Sequence, residues 1–462
     1  MAQTPYAYLE SHRDEILDEL VAFTSIPSVS ADPHYRPDVE KAARWVADRL
    51  KRAGLDRVRL FSTEDHPVVF GEWVKAPGAP TVLIHGHYDV QPPGPAERWV
   101  SDPFQPTIRK GRLYGRGVAD GKGPLIIPIK TVEAFLTATG RLPVNVRFLI
   151  EGDEEGGHWN LGPFIREHAE MLRADFVLST DGAMWRHDEP SLTVGCRGFL
   201  GLELAILSGS KDLHSGRHGG CVANAAVALA RLIASLHDDN GRVAVAGFYD
   251  DVVELSADER QAIAAIPFDE ARYLRENGSP ALCGEAGYSL LERQWTRPAL
   301  DVNGMWGGYL GQGGQTVIPA DAHAKISCRL VPNQDPQAIA RLVERHLEAR
   351  LLPGVRVQFG EVAGGLPYRV PPDHVGLRVA AEVLEQVYRK PPVTVRMGAT
   401  VAVCEVFRQD LGLETVFFSF ATADDDYHAP NEFFRLNRLY EGLEAWTRYF
   451  ERLAAARKKD RQ

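Results

Sequence analysis

The stretch TVLIHGHYDV, residues 81–90, decides the predicted fold of this 462-residue chain. Its apolar start, Val82–Ile84, has the length and composition of a buried strand, and His87 and Asp89 follow directly. Two further runs have the same form: VNVRFLIEGDEE at 144–155 and DFVLSTD at 175–181. Helical patterns separate these runs. We therefore predict an α/β domain built on a central mixed, largely parallel sheet.

The domain organisation follows from length and from a change in pattern near residue 191. A chain of this length favours two domains. From residue 191 the order strand, helix, insertion, strand, helix, strand indicates a small ferredoxin-like α+β domain, and Asp335 and Pro336 mark the start of its second helix. The first pattern then resumes. We predict a large domain in two segments, 1–190 and 367–462, with a small domain inserted at 191–366.

Composition excludes several classes of protein. Lys plus Arg number 52 against 62 Asp plus Glu, a formal charge of −10, which argues against a nucleic-acid partner. No apolar run approaches the roughly 20 residues of a membrane span, and residues 1–20 lack the apolar segment of a signal peptide. The five cysteines are scattered, which favours reduced thiols. We expect a cytoplasmic protein with neither a membrane nor a nucleic-acid partner.

Acids and histidines cluster where the predicted strands end. Because ligands bind at the carboxyl ends of strands in open α/β sheets, these side chains should converge in one crevice. One of them alone is more often a turn or helix cap than a ligand. Together, however, so many like charges would repel one another unless bound cations neutralised them, and two divalent ions would do so. The candidates are His87, Asp89, Glu154, Glu155 and Asp181, with Asp120 of RGVADGKG and His428 of DDDYHAPNE able to reach the same place.

The types of side chain narrow the choice of metal. Two imidazoles with several carboxylates suit Zn or Mn, with Co possible. Asp89, two residues from His87 on an extended chain, can orient the imidazole ring. Glu154 and Glu155 are adjacent and cannot easily both bind one ion, which leaves one of them free as a general base.

Five ordered motifs carry a family resemblance. HGHYDVQP, GRGVADGKG, EGDEEGG, STDG and the late histidine resemble the M20 metallopeptidases, particularly the branch of carnosinase and the cytosolic non-specific dipeptidase. KDLHSGRHGG, TVIPADAHAKISCRLVPNQ and LNRLYEG add to this match, which runs from about residue 15 to 450. The resemblance implies a zinc-peptidase-like catalytic domain with an inserted domain that serves as lid and dimerisation surface.

The resemblance also implies a role for each candidate residue. His87 and Asp181 would bind one metal and Glu155 and His428 the other, with Asp120 bridging both; Asp89 would orient His87, and Glu154 would be the general base. In the inserted domain His214 would stabilise the oxyanion in the partner subunit's site, and Arg329 would hold the substrate carboxylate. Asn224, Thr316 and Thr400 would be supporting substrate contacts.

The implied activity is hydrolysis of a dipeptide or similarly small peptide with a free C-terminal carboxylate, by a homodimer. One loop departs from the branch: Met397-Gly398-Ala399-Thr400 stands where a Gly-Gly-Ser-Ile-Pro-like loop, often after an acidic residue, is common. Met397 would not pair with a free amino group. A deacylase or desuccinylase of N-acyl amino acids is therefore an alternative, and a non-catalytic binding protein is a remote one.

Overall fold

A computed structural model of the protein describes residues 3–156 and 161–459. The chain divides into two compact units. Unit 1 comprises Met1–Val194, Val370–Val395 and Val403–Gln462, and unit 2 comprises Gly195–Arg369 and Arg396–Ala402. The predicted segments differ from this division most at 396–402, a loop that the sequence prediction places in the large domain but that groups with unit 2. The predicted domain boundaries themselves stay a prediction.

The strands are numbered along the chain. They are β1 (Asp56–Phe61), β2 (Val68–Trp73), β3 (Thr81–His87), β4 (Thr107–Arg109), β5 (Arg112–Tyr114), β6 (Asn145–Glu151), β7 (Phe176–Ser179), β8 (Ser191–Cys196), β9 (Gly198–Leu207), β10 (Leu213–His214), β11 (Ala299–Gly307), β12 (Val317–Ile318), β13 (Asp321–Leu330), β14 (Arg356–Phe359), β15 (Ala363–Gly365), β16 (Tyr368–Arg369), β17 (Val393–Met397), β18 (Thr415–Phe417) and β19 (Phe433–Arg435).

The α-helices are numbered in the same way. They are α1 (Pro5–Ser11), α2 (Arg13–Thr24), α3 (Arg36–Arg52), α4 (Lys122–Thr139), α5 (Leu161–Glu167), α6 (Ala169–Leu172), α7 (Ser215–His218), α8 (Ala225–Ala234), α9 (Ala257–Ala264), α10 (Glu270–Glu276), α11 (Leu290–Thr296), α12 (Pro336–Glu348), α13 (Val375–Tyr388), α14 (Val403–Val406) and α15 (Leu436–Lys459). None of the described helices is both long and apolar enough to cross a bilayer.

Unit 1 is built on a six-stranded mixed sheet in the order β1-β2-β6-β3-β7-β18. Strands β6, β3, β7 and β18 run parallel, whereas β1 and β2 are antiparallel to their neighbours. The core of β3 is fully buried because helices cover parallel sheets on both faces. The predicted α/β class and the mixed sheet are thus confirmed.

The register of this sheet brings the predicted ligands to one end. His87 pairs with Glu151 across β3 and β6, and His85 pairs with Ser179 across β3 and β7. The three strands therefore end at the same level, and the acids that follow β6 and β7 emerge beside His87.

Unit 2 has the element order β9-α8-β11-β13-α12-β14. Its antiparallel sheet has the order β11-β13-β9-β14, with β15 also paired to β9. This is the split-βαβ arrangement of the ferredoxin-like fold, as predicted. Helix α12 begins where expected, since the side chain of Asp335 caps it and Pro336 occupies its first turn. The apolar faces of α8 and α12 pack on the buried side of the sheet.

Candidate metal centre and substrate-binding residues

The end of β3 supplies a buried His–Asp pair. His87 and Asp89 are both fully buried. Nδ1 of His87 lies 3.1 Å from the backbone carbonyl oxygen of Asp89 and 3.5 Å from its carboxylate Oδ1. With Nδ1 so engaged, Nε2 is the atom free to bind a metal. Oδ2 of Asp89 accepts hydrogen bonds from Ser30 Oγ at 2.6 Å and Glu155 N at 2.9 Å, so this carboxylate also positions the loop after β6.

Two groups of side chains in unit 1 have the geometry of metal ligands. One consists of His87, Asp120 and Asp181, and the other of Asp120, Glu155 and His428. Within each group the potential ligand atoms lie within 4.8 Å of one another. Asp120 belongs to both groups. The structure thus brings together all five residues that the sequence nominated as ligands.

Asp120 is the centre of this arrangement. Its Oδ1 lies 3.4 Å from His87 Nε2, and its Oδ2 lies 3.0 Å from His428 Nε2. His428 Nε2 is also 3.3 Å from Glu155 Oε2. Burial alone would raise the pKa of Asp120, but the hydrogen bond from His428 and the adjacent imidazole of His87 lower it below its usual value. Asp120 is therefore an anionic bridge between the two imidazoles.

Burial dominates the electrostatics of the remaining ligand carboxylates. Burial raises the pKa of Asp181, and burial together with the charge of Asp120 raises that of Glu155. Three buried atoms, His87 Nε2, Asp181 Oδ2 and Glu155 Oε1, have no hydrogen-bond partner among the residues that the structure describes. Buried polar atoms are normally satisfied. These three atoms lie in a cluster of carboxylates, and bound cations would give them partners. The nitrogen and oxygen ligands present therefore fit two divalent metal ions.

Glu154 lies beside these groups and belongs to neither. Burial, followed by the charges of Asp181 and Glu155, raises its pKa well above the usual value. Its neighbour Glu155 is held by Gln91, whose Nε2 donates to Oε2 at 2.8 Å. Sequence reasoning missed Gln91, although it stands two residues after Asp89 in the motif HGHYDVQP. Glu155 thus lies in a candidate ligand group and Glu154 outside both, while their roles as ligand and general base stay predictions.

The residues nominated in the inserted domain lie in unit 2. His214 ends β10, which pairs with β12 so that His214 faces Val317, and the next amide, Ser215 N, donates to the carbonyl of Thr316. Nδ1 of His214 accepts a hydrogen bond from Gly216 N at 2.9 Å. A neutral imidazole that accepts at Nδ1 carries its proton on Nε2. The exposed His214 thus presents Nε2 as a donor.

Asn224 has a visible structural role. Its Oδ1 accepts from Val227 N at 3.1 Å and caps the start of α8. A contact between Asn224 and substrate stays a prediction, as does one from the exposed Thr316.

Arg329 and Thr400 are in direct contact. Arg329 Nη1 donates to Thr400 Oγ1 at 2.9 Å, and the guanidinium lies 5.2 Å from the centre of the Phe199 ring. A second arginine, Arg197, contacts the loop that carries Thr400, since its Nε donates to the carbonyl of Gly398 at 3.0 Å. Burial and the nearby charge of Arg329 lower the pKa of Arg197 to about 10. Sequence reasoning missed Arg197, whose only signal is a charge within the extended segment 191–207.

Neither arginine forms an ion pair with a described carboxylate. Each is only partly exposed, and the hydrogen bonds of both go to neutral oxygens. Partly buried guanidinium groups are usually paired with an anion. Apart from the charge of Asp301, which acts on both arginines, no described anion offsets the positive charge of the pair Arg197–Arg329, and a role for the pair in substrate binding stays a prediction.

Known proteins resemble this chain over nearly its full length. It is 32% identical to the Cys-Gly metallodipeptidase dug1 of Schizosaccharomyces pombe, covering 97% of this chain and 98% of the relative. It is 29% identical to the Beta-Ala-His dipeptidase of Homo sapiens, covering 97% and 92%. Among solved structures, the M20 family metallo-carboxypeptidase Sso-CP2 from Sulfolobus solfataricus superposes with a TM-score of 0.85 at 31% identity, covering 96% of this chain and all of that one.

The family itself is identified by a match to most of the chain. The model of peptidase family M20/M25/M40 matches residues 83–452, a span that includes every candidate metal ligand, all of unit 2 and part of unit 1. This protein belongs to the peptidase family M20/M25/M40.

Proposed function

We propose that the protein is a two-metal dipeptidase, which hydrolyses the amide bond of a dipeptide or similarly small peptide with a free C-terminal carboxylate. The observation that carries the proposal is the pair of ligand groups that share Asp120, with Glu154 beside them. The dipeptidases among its relatives support the choice of substrate.

The metal ligands in this proposal are those of the two groups. His87, Asp120 and Asp181 would hold one ion, and Asp120, Glu155 and His428 the other. Bound there, the two ions would supply the positive charge that makes a water molecule acidic near neutral pH and polarises the scissile carbonyl. We propose Zn or Mn, with Co possible, because the ligands are imidazoles and carboxylates without a thiolate.

Glu154 transfers the proton. Its carboxylate accepts the proton of the attacking water and then delivers it to the nitrogen of the leaving amine. Burial, the largest cause of its raised pKa, favours holding that proton between the two steps. Asp89 keeps the His87 ring oriented through Nδ1 and holds the backbone of Glu155 in place.

Residues of unit 2 bind and orient the substrate. The Nε2–H of His214 would donate to the carbonyl oxygen as negative charge develops on it. Arg329 would make a charge-assisted pair with the C-terminal carboxylate, with Arg197 adding a second positive charge and Thr400 holding the guanidinium. Thr316 and Asn224 would support this contact.

We propose a homodimer in which His214 serves the partner's site. Strand β11 is an edge of the unit 2 sheet, and it exposes Val302, Met305 and Trp306. An edge strand with unpaired backbone groups and exposed apolar side chains favours association with a second copy.

A cytoplasmic location, and the lack of nucleic-acid and membrane partners, remain part of the proposal. Cys221 and Cys283 are exposed free thiols, and Cys196, Cys328 and Cys404 are buried. Free thiols are typical of a reducing compartment.

The test is hydrolysis by purified protein that has been stripped of metal and reloaded with Zn, Mn or Co. Free dipeptides, the same dipeptides with amidated C-termini, and N-acetyl and N-succinyl amino acids would be compared, with products identified by mass spectrometry. We expect metal-dependent cleavage of free dipeptides and little cleavage of the amidated set.

One outcome of this substrate comparison would show that the protein is a deacylase that uses the same metal chemistry. Met397 stands on the loop that carries Thr400, and a thioether offers no charge to a free amino group. Cleavage of the acylated amino acids alone would show that this loop selects blocked substrates.

A further inference from the structure

Glu432 is a fully buried carboxylate that joins two distant loops of unit 1. Its Oε2 accepts from Arg116 Nη1 at 2.8 Å and from Gly117 N at 3.1 Å. Its Oε1 accepts from Ala119 N at 2.9 Å and from Asp120 N at 3.1 Å. Both oxygens are thus fully used by one segment, residues 116–120, which lies more than 300 positions earlier in the chain.

The segment that Glu432 holds ends in the bridging carboxylate. Asp120 is the residue shared by the two ligand groups, and its own amide is one of the four donors to Glu432. The backbone of Glu432 adds a fifth link, since its carbonyl accepts from Gly115 N at 3.0 Å. Fixing these amides fixes the Cα position of Asp120 and the direction in which its side chain leaves the loop.

Glu432 also terminates the loop that carries His428. Three residues of this loop that are not glycine have positive φ: Asp426 at 56°, His428 at 56° and Asn431 at 68°. Such backbone is unfavourable for residues with a Cβ and persists only where surrounding contacts determine it. Asn431 is held by Arg98 and Val100, through bonds of 2.9 and 2.8 Å, and Glu432 anchors the next position.

We propose that Glu432 is a positioning residue for the metal centre: by clamping residues 116–120 it sets the separation between Asp120 and His428. That separation is 3.0 Å between Oδ2 and Nε2. Glu432 itself does not ligate, because Arg116 and the three amides occupy its oxygens. The inference rests on the two-metal site of the proposed function.

The first variant is Glu432→Gln. An amide has one acceptor oxygen, and its NH₂ group would meet N–H donors that now face a carboxylate oxygen. Removing an outer partner of a metal ligand typically lowers metal affinity about 10–100-fold. We therefore expect one of two Co²⁺ ions to bind about 10–100-fold more weakly. Dipeptide kcat should fall while KM, which depends on Arg329, stays within about twofold.

The matched control is Glu405→Gln. Glu405 is also buried in unit 1 and accepts from Arg408 Nε at 2.7 Å and Gln409 Nε2 at 3.0 Å, and among the described residues neither partner belongs to segment 116–120 or to the loop of His428. This variant should lose stability in a thermal melt and keep wild-type Co²⁺ affinity. A purely structural role for Glu432 would make the two variants behave alike.

The experiment is a titration of the metal-free protein with Co²⁺, read by the visible absorption of the bound ion and by calorimetry, with circular dichroism as a check of the fold. Should Glu432→Gln fail to fold, Glu432→Asp, which keeps the charge but withdraws the oxygens by one methylene, is titrated instead, with a smaller loss expected. A folded variant that binds two Co²⁺ ions with wild-type affinity overturns the inference and leaves the proposed dipeptidase intact. A wild-type protein that binds two Co²⁺ ions yet cleaves no dipeptide removes the proposed function and leaves the affinity test of Glu432 decisive.

Discussion

His428 Nε2 lies 3.0 Å from Oδ2 of Asp120, although 308 positions separate the two residues in the chain. Hydrogen bonds to Asp120 and then Glu155 raise the pKa of His428 to about 10, against the opposing effect of burial. Without metal, the His428 imidazole thus carries a proton at the place where the proposed function requires a metal ion.

Binding of the second metal ion should therefore release a proton. A metal-bound imidazole must be neutral, and a histidine with a pKa of about 10 is protonated at pH 8. Calorimetric titrations with Zn²⁺ in buffers of different ionisation enthalpy would count the protons released. We expect His428→Ala to release about one fewer proton and to bind that ion at least about 10-fold more weakly; an unchanged proton count would exclude His428 as a ligand.

Glu154 and Glu155 should respond differently to the same substitution. Because Glu154 belongs to neither ligand group, Glu154→Gln should keep two bound metals while kcat falls about 10²–10⁴-fold. Glu155→Gln removes a ligand and should lose metal as well as activity. Metal analysis beside kcat measurements separates the two variants, and metal loss from Glu154→Gln would mean that the roles are exchanged.

The strand ends were predictable from sequence, and the contacts between loops were not. His87 and Asp89 follow an apolar run whose length and composition favour a buried strand, so their place at the sheet end follows from general rules. The approach of His428 to Asp120 depends on positive φ angles at Asp426, His428 and Asn431. No sequence pattern predicts such angles at residues other than glycine. Arg197 was missed for a related reason. Whether an arginine has an ion-pair partner is decided by tertiary packing.

Arg329 should contribute mainly to substrate binding. Loss of a charge-assisted pair costs about 1.5–3 kcal/mol, so Arg329→Met should raise KM for free dipeptides about 10–100-fold with a smaller change in kcat. Arg197→Met should also raise KM, but by less, because one donor of Arg197 is already used by the carbonyl of Gly398 and is not available to the substrate.

Dipeptides with amidated C-termini are the control for this assignment. They lack the carboxylate, so their KM should be nearly the same for wild type and Arg329→Met. An equal loss on free and amidated dipeptides would show that Arg329 supports the fold of unit 2 instead.

Glu259 should make the stability of unit 2 dependent on acid. Although burial opposes it, hydrogen bonds from Ser256 and Arg369 lower the pKa of Glu259 to about 2. Arg369 Nη2 and Arg396 Nη2 lie 2.7 and 2.8 Å from its Oε1. A carboxyl whose folded pKa is depressed stabilises the fold above its unfolded pKa, about 4.5, and loses that contribution as pH falls towards 2.

The measurement is the denaturant midpoint of wild type and Glu259→Gln between pH 7 and pH 3. Wild type should be the more stable protein at pH 7, and the difference should shrink as the carboxyl is protonated. The effect will be moderate because Glu259 is partly exposed. A difference that stays constant across this range would contradict the depressed pKa.

His214 should act on the metal centre of the partner subunit, and two inactive variants can test this. Glu154→Gln removes the proposed base and His214→Ala removes the proposed oxyanion donor, so each homodimer should lose about 10²-fold or more in kcat. Neither change touches a metal ligand group, and both variants should keep their metal content.

If the site is shared, a mixed dimer contains one centre with an intact Glu154 that receives an intact His214 from the other subunit. Co-expression with two different affinity tags, followed by sequential purification, should therefore recover a mixed dimer with about half the wild-type kcat per dimer. If His214 served its own subunit, both centres of the mixed dimer would carry a defect, and the mixed dimer would be as inactive as its parents.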